Sequence, residues 1–303
     1  MAVNIEKPSC IRYIHQLNSL FTIVPWKKIV YRPKKSLGQN FLQDANVSRK
    51  IVRQFGPQPD DIVVEIGPGK GALTALLLAS LPHVTVVELD NHLAEELKTQ
   101  FGDSITVLHD DILKVDFNTV TDRNDKRIRL IGNIPYNITT PILFHVIDQA
   151  AAVKDFVVMM QTEVAQRIAA KPRTKEYGIL SVLLQYYCSP KILFSVSRKS
   201  FYPVPDVSST VLHLDYETPY PEKAVDETLF RKIVRGTFGT RRKTLRNGLR
   251  NLGMSGTELE QLTIDLDRRP EELSVGEFVS LSNTLVGISS LSMKNKTEDS
   301  DGR

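Results

Sequence analysis

The sequence predicts an α/β fold built on a largely parallel sheet, and three observations carry that reading. Short β-rich apolar runs recur between residues 44 and 160: IVVEIG (62–67), HVTVVELD (83–90), SITVLHDD (104–111), IRLIGN (128–133) and DFVVMM (155–160). Helical stretches intervene, and apolar strands alternating with helices suit a parallel sheet covered on both faces. Finally, EIGPGKG, VELD, HDDI and GNIPY all fall at predicted strand ends, where the ligands of such sheets bind.

The elements follow in order. Asp44 caps a helix in which Val47, Ile51 and Phe55 recur every four residues. IVVEIG is a strand that runs into glycines, and ALTALLLASL (72–81) reads as an apolar helix behind them. From about residue 217 the chain changes to helix-like segments without strong β runs. The expected organisation is an N-terminal extension (1–33), an α/β domain (34–216), a small C-terminal helical domain (217–288) and a polar tail (289–303).

Composition bounds the classes of function. In 303 residues, 41% apolar and 24% charged is an ordinary globular balance, which excludes wholesale disorder. No window reaches 18 consecutive apolar residues, so no membrane span is expected. Cys10 and Cys188 lie far apart, which suits a reducing compartment better than a disulfide framework. Neither CxxC nor HxxxH occurs, so no metal is expected. The first 35 residues hold Lys7, Arg12, Lys27, Lys28, Arg32, Lys34 and Lys35 against Glu6 alone. The extension lacks a signal peptide's compact apolar run and has few arginines for a transit peptide, so the expected location is cytoplasmic.

The chemistry concentrates at the strand ends. GPGKGA (67–72) matches the G-x-G-x-x-G/A loop, and Glu88 stands 21 residues after Gly67, where an acid can hold ribose hydroxyls. Taken alone this admits a dinucleotide, another adenosine cofactor or a tight strand–helix turn. Glu65, Glu88, Asp90, Asp110 and Asp111 place negative charge around the loop, which disfavours a pyrophosphate and favours a sulfonium cation. Asp90 and Asp110 read as caps or solvated strand ends, whereas Glu88 and Asp111 are better placed for a ribose and an adenine amine. Gln39 either closes over the cofactor or caps the next helix.

Asn133-Ile134-Pro135-Tyr136 is the most specific signal. It resembles the [DNS]-x-P-[YF] tetrad of methyltransferases that act on exocyclic nitrogens. An adenine N6 lone pair is delocalised into the ring, so the amine is a poor nucleophile. A side-chain amide oxygen and a backbone carbonyl that accept its two N–H bonds favour a pyramidal nitrogen aimed at the methyl group. Tyr136 would stack on the extruded base. The alternative is a strand-end turn with a core tyrosine.

From about Lys34 to Gly253 the chain resembles the KsgA-type ribosomal RNA small-subunit adenine N6-dimethyltransferases, within the superfamily that includes the Erm resistance methyltransferases. The resemblance rests on SLGQNFL (36–42), EIGPGKGALT (65–74), VELD (87–90), HDDIL (109–113), GNIPYNITTPILFH (132–145), EYGILSVLLQYYC (176–188) and SFYPVPDVSSTV (200–211), in that order. It implies a class I S-adenosylmethionine-dependent methyltransferase (Rossmann-like) domain followed by a small helical domain. It also implies dimethylation of two adjacent adenines in a hairpin loop near the 3′ end of 16S rRNA, in a small ribosomal subunit precursor. Asn40, Leu42, Gly67, Glu88, Asp111 and Asn133 would contact S-adenosylmethionine; Asn133 and Tyr136 would flank the amine, with Phe201 stacking from the other side. Val204 and Asp206 depart from the usual proline and basic residue of that last segment.

Residues 229–253 carry eight basic residues and no acid. Arg242, Arg246 and Arg250 recur every four residues opposite Leu245, Leu249 and Leu252, which predicts a helix with an outward arginine stripe. Without compensating acids, Arg241, Arg242, Lys243, Arg246 and Arg250 are candidates for phosphate contact, together with Lys34 and Lys35. A monomer is expected. An Erm-type enzyme acting on 23S rRNA and a non-catalytic RNA-binding assembly factor are the rival readings.

Overall fold

The computed structural model describes residues 33–34, 37–120 and 126–298, with side chains to 288. Residues Lys35–Arg303 form one compact unit, separate from Met1–Lys34, and the elements below belong to it.

Strand β1 (Phe41–Leu42) leads into α1 (Ala45–Phe55), whose first amides, those of Asn46 and Val47, donate to the Asp44 side chain. Ile51, Val52 and Phe55 bury its inner face, and Gly56 stops it in the left-handed conformation. The wholly buried β2 (Val63–Ile66) ends at Gly67. Then follow α2 (Thr74–Leu77), β3 (Val84–Val87), α3 (Asn91–Phe101), β4 (Ile105–Leu108), β5 (Ile128–Asn133), α4 (Thr139–Asp148) and β6 (Val153–Gln161). Next come α5 (Thr162–Ile168), α6 (Ile179–Tyr187), β7 (Ser189–Val196), β8 (Phe201–Tyr202) and β9 (Ser209–Asp215). Helices α7 (Glu227–Gly239), α8 (Leu245–Asn251), α9 (Gly256–Glu260) and α10 (Val275–Glu298) complete the chain.

One sheet runs β4-β3-β2-β5-β6-β9-β7, and only β9 runs opposite to the other strands. From β2 the chain moves outward to β3 and β4, then returns to β5 on the other side of β2. That reversal opens a crevice beyond the carboxyl ends of β2 and β5. Gly132 permits the strands to close there, since a Cβ on it would stand 2.5 Å from the Ile66 carbonyl oxygen.

The apolar run 72–81 is less helical than its composition predicts. Only Thr74–Leu77 is α-helix, and Ala79 and Ser80 donate three residues back, to Leu76 and Leu77. Leu73, Leu77 and Leu81 are nevertheless buried at a four-residue period, so the face survives the tighter winding. The basic stripe also differs from its expectation. Helix α7 ends at Gly239 and α8 starts only at Leu245, so Arg242 sits in the intervening turn and not on a helix with Arg246 and Arg250. Leu245 and Leu249 do point inward, fully buried. The helices after residue 216 share one apolar cluster with the sheet, where the Phe230 ring stands 4.5 Å from that of Tyr186 on α6. No described helix is long and apolar enough to cross a membrane.

Candidate active site

Asn133 is the last residue of β5, and the turn behind it is pinned to the start of α4. The Pro135 carbonyl accepts from Ile138 N at 3.3 Å and from Thr139 Oγ1 at 3.1 Å. The Asn133 side chain donates through Nδ2 to the Asn40 carbonyl at 3.0 Å. Its Oδ1 is left as the acceptor in a cavity that Asn133 lines. Tyr136, half-buried, shares a 2.7 Å hydrogen bond with Ser209 Oγ on β9. Burial holds its hydroxyl pKa above the usual range, although the Ser209 bond opposes the shift.

The glycine loop faces this turn. Gly67 and Gly69 adopt φ of 63° and 57°, a region that L side chains rarely enter. The Gly69 amide donates to Glu88 Oε2 at 3.2 Å, and the Asp90 amide donates to Oε1 at 2.9 Å. Glu88 is buried, which raises its pKa against the pull of those two bonds. Asp90 caps α3, as its position predicts. Asp111 also caps: its Oδ1 accepts from Leu113 N at 3.0 Å, while Asp110 accepts from the Asp111 amide.

Glu65 departs from the expected ring of negative charge. It is buried within β2 and accepts a 2.6 Å bond from Thr74 Oγ1. Burial, reinforced by Glu88 and opposed by Thr74, pushes its pKa up to about 8. Near neutral pH it is mostly an uncharged acid and adds little to the negative field around the loop.

Asn40, Leu42, Gly67, Glu88, Asp111 and Asn133 all line one cavity of about 270 Å³, together with Tyr136 and Gln39. Phe41, Leu89 and Ile112 add apolar walls that sequence reasoning did not assign, although each lies within a quoted motif. Ser209 was beyond its reach, because nothing local announces a bond spanning 73 residues. Phe201 is not brought to this cavity. Its backbone pairs with Leu42, and the ring is 2% exposed within the apolar cluster of Leu42, Val196 and Val211.

The basic candidates differ among themselves. Arg242, Lys243 and Arg250 are exposed, as is Lys34; Lys35 lies outside the described residues. Arg241 is engaged with the Glu271 carboxylate and, at 2.7 Å, with the Lys175 carbonyl. Arg246 stands 3.7 Å from Asp267. Glu163 and Arg167 form the expected helix-surface pair on α5. Among the described residues no group of His, Cys, Asp and Glu is arranged to hold a metal ion.

Residues 30–286 match the family described as ribosomal RNA adenine dimethylase. The chain belongs to that family. It is 42% identical over 279 residues to ribosomal RNA small subunit methyltransferase A of Acinetobacter baylyi, covering 90% of this chain and 98% of that one. The protein of the same name from Saccharophagus degradans is 45% identical over 260 residues, covering 84% and 95%. Among solved structures, this dimethylase resembles a dimethyladenosine transferase from Plasmodium falciparum with a TM-score of 0.65 and 23% identity, over 80% of this chain and 95% of that one. The 23S rRNA methyltransferase ErmE gives 0.61 and 23%, over 81% and 99%. At those identities the likeness speaks for the fold, a Rossmann-like methyltransferase sheet, while the curated relatives carry the family.

Proposed function

We propose that this dimethylase transfers methyl groups from S-adenosylmethionine to N6 of two adjacent adenines in a hairpin loop near the 3′ end of 16S rRNA. The observation that carries the reading is the Asn133 amide, whose nitrogen is committed to the Asn40 carbonyl so that its oxygen serves the cavity. The cavity's donor set fits the cofactor. Glu88 and Asp111 retain acceptor lone pairs for hydroxyl and amine groups, Leu89 and Ile112 suit an adenine face, and the nearby carboxylates suit a cation.

When bound, the cofactor supplies a methyl group already activated on a sulfonium, so no metal is called for. The chain's own residues do the rest. Asn133 Oδ1 accepts one N–H of the incoming amine and a carbonyl of the same turn accepts the other, which concentrates the lone pair on nitrogen. Tyr136, anchored by Ser209, stacks on the base and keeps water from the reacting atoms. The proton released from nitrogen leaves to solvent. Residues 217–288 form the RNA-docking region, with Arg242, Lys243 and Arg250 its exposed cations. The substrate is a small-subunit precursor, met by a monomer in the cytoplasm.

Methylation of purified small ribosomal subunits with labelled cofactor, followed by nucleotide mapping, tests this. Label on adjacent adenines of 16S rRNA is expected. Label on 23S rRNA alone would point to the Erm-type reading, and none at all to an assembly factor without catalysis.

A further inference from the structure

We propose that Tyr202, paired across the ribbon with the cavity-lining Phe41, is a base-stacking residue whose ring receives the unpaired RNA base beside the adenine undergoing methylation. The inference rests on the RNA methyltransferase reading above and adds to it a contact with a second nucleotide.

The two-stranded ribbon sorts its four side chains by face. Phe41 pairs with Tyr202 and Leu42 with Phe201, and directly opposed residues project to the same side. The Leu42–Phe201 side is buried in the core. On the other side the Phe41 ring lies against the glycine loop, where a Cβ on Gly69 would stand 3.0 Å from it, and like Leu42 it lines the cavity. Tyr202 therefore shares a face with Phe41, yet it is 55% exposed.

That exposure is concentrated, not scattered. Of the six exposed large apolar side chains among the described residues, three, Tyr202, Val204 and Val207, fall within residues 202–207. Exposed apolar side chains gathered in one segment suit a contact site. Its neighbours indicate the occupant: Arg198 and Lys199, both exposed, come just before Ser200 and the ribbon and outnumber Asp206, the exposed acid of the segment. A flat apolar ring edged by cations suits a nucleotide, whose base has a π-face and whose phosphate is anionic.

The test uses the full chain, purified small ribosomal subunits lacking the modification, and Tyr202→Phe, Tyr202→Leu and Tyr202→Ala. Loss of one stacked base should raise KM for subunits about tenfold in the Leu and Ala variants, with kcat little changed. The Phe variant should match the parent, and all three should bind S-adenosylmethionine as the parent does, which also reports that they fold. An unchanged KM for the Ala variant, or a Leu variant as good as Phe, would overturn stacking. So would a loss confined to cofactor affinity. Should the parent itself place no methyl on 16S rRNA, the functional reading fails separately, and direct binding of each variant to the subunits still decides the role of Tyr202.

Discussion

The Asn133 amide nitrogen lies 3.0 Å from the carbonyl oxygen of Asn40, although 93 residues separate them. The segment that arches over the cofactor cavity thereby orients the amide proposed to hold the substrate amine. Asn133→Ala should slow single-turnover methyl transfer by about 10²-fold or more, since acceptance of the amine hydrogens matters most as nitrogen pyramidalises. RNA affinity should change far less. A near-parental rate in a folded variant would remove Asn133 from the chemistry.

Glu88 addresses the cofactor. Glu88→Ala should weaken S-adenosylmethionine binding by about 1.5–3 kcal/mol, the range for hydrogen bonds to a charged group. Calorimetry reads this directly, and NAD should give no heat. Because Glu88 also accepts the Gly69 amide, the variant should loosen the glycine loop as well.

Glu65 makes stability depend on pH. Its carboxyl pKa is raised to about 8 in the folded chain from an ordinary value of 4.5. The folded state therefore holds an extra proton between those values, and its stability falls as pH rises through that window. Glu65→Gln mimics the protonated form and should flatten the fall. The difference between pH 5 and pH 8, read from urea unfolding, should be on the order of a few kcal/mol. Parallel pH profiles for the two proteins would refute the assignment.

Phe201 separates packing from chemistry. With the ring 2% exposed, Phe201→Ala should cost about 3–5 kcal/mol of stability by leaving a cavity. Its kcat at a temperature where the variant is folded should stay close to the parent's. A large fall in single-turnover rate without loss of stability would return Phe201 to the stacking role that family resemblance implies.

The basic residues divide by what they touch. Replacing Arg242, Lys243 and Arg250 together by Gln should flatten the plot of log affinity against log salt by roughly 0.7–0.9 per lost phosphate contact. Cofactor affinity should not move. Arg241→Gln should leave that slope alone and cost about 1 kcal/mol of stability, because Arg241 is already engaged with Glu271 and two backbone carbonyls.

Local pattern determined much of this protein. Short β-rich apolar runs set the five parallel strands, Asp44 and Asp90 announced their helices, and the glycine loop, Glu88 and the Asn133–Tyr136 tetrad marked the cavity. Each of these is a property of a few consecutive residues. Tertiary structure alone decided what each polar or aromatic group meets. Burial in the middle of the sheet made Glu65 an uncharged acid, and a break between α7 and α8 dispersed the arginine stripe. Ribbon register sent Phe201 inward and Tyr202 outward, because a strand's alternation fixes which residues share a face but not which face is covered. That last choice depends on packing between segments some 160 residues apart, Phe41 against Tyr202, where local spacing carries no information.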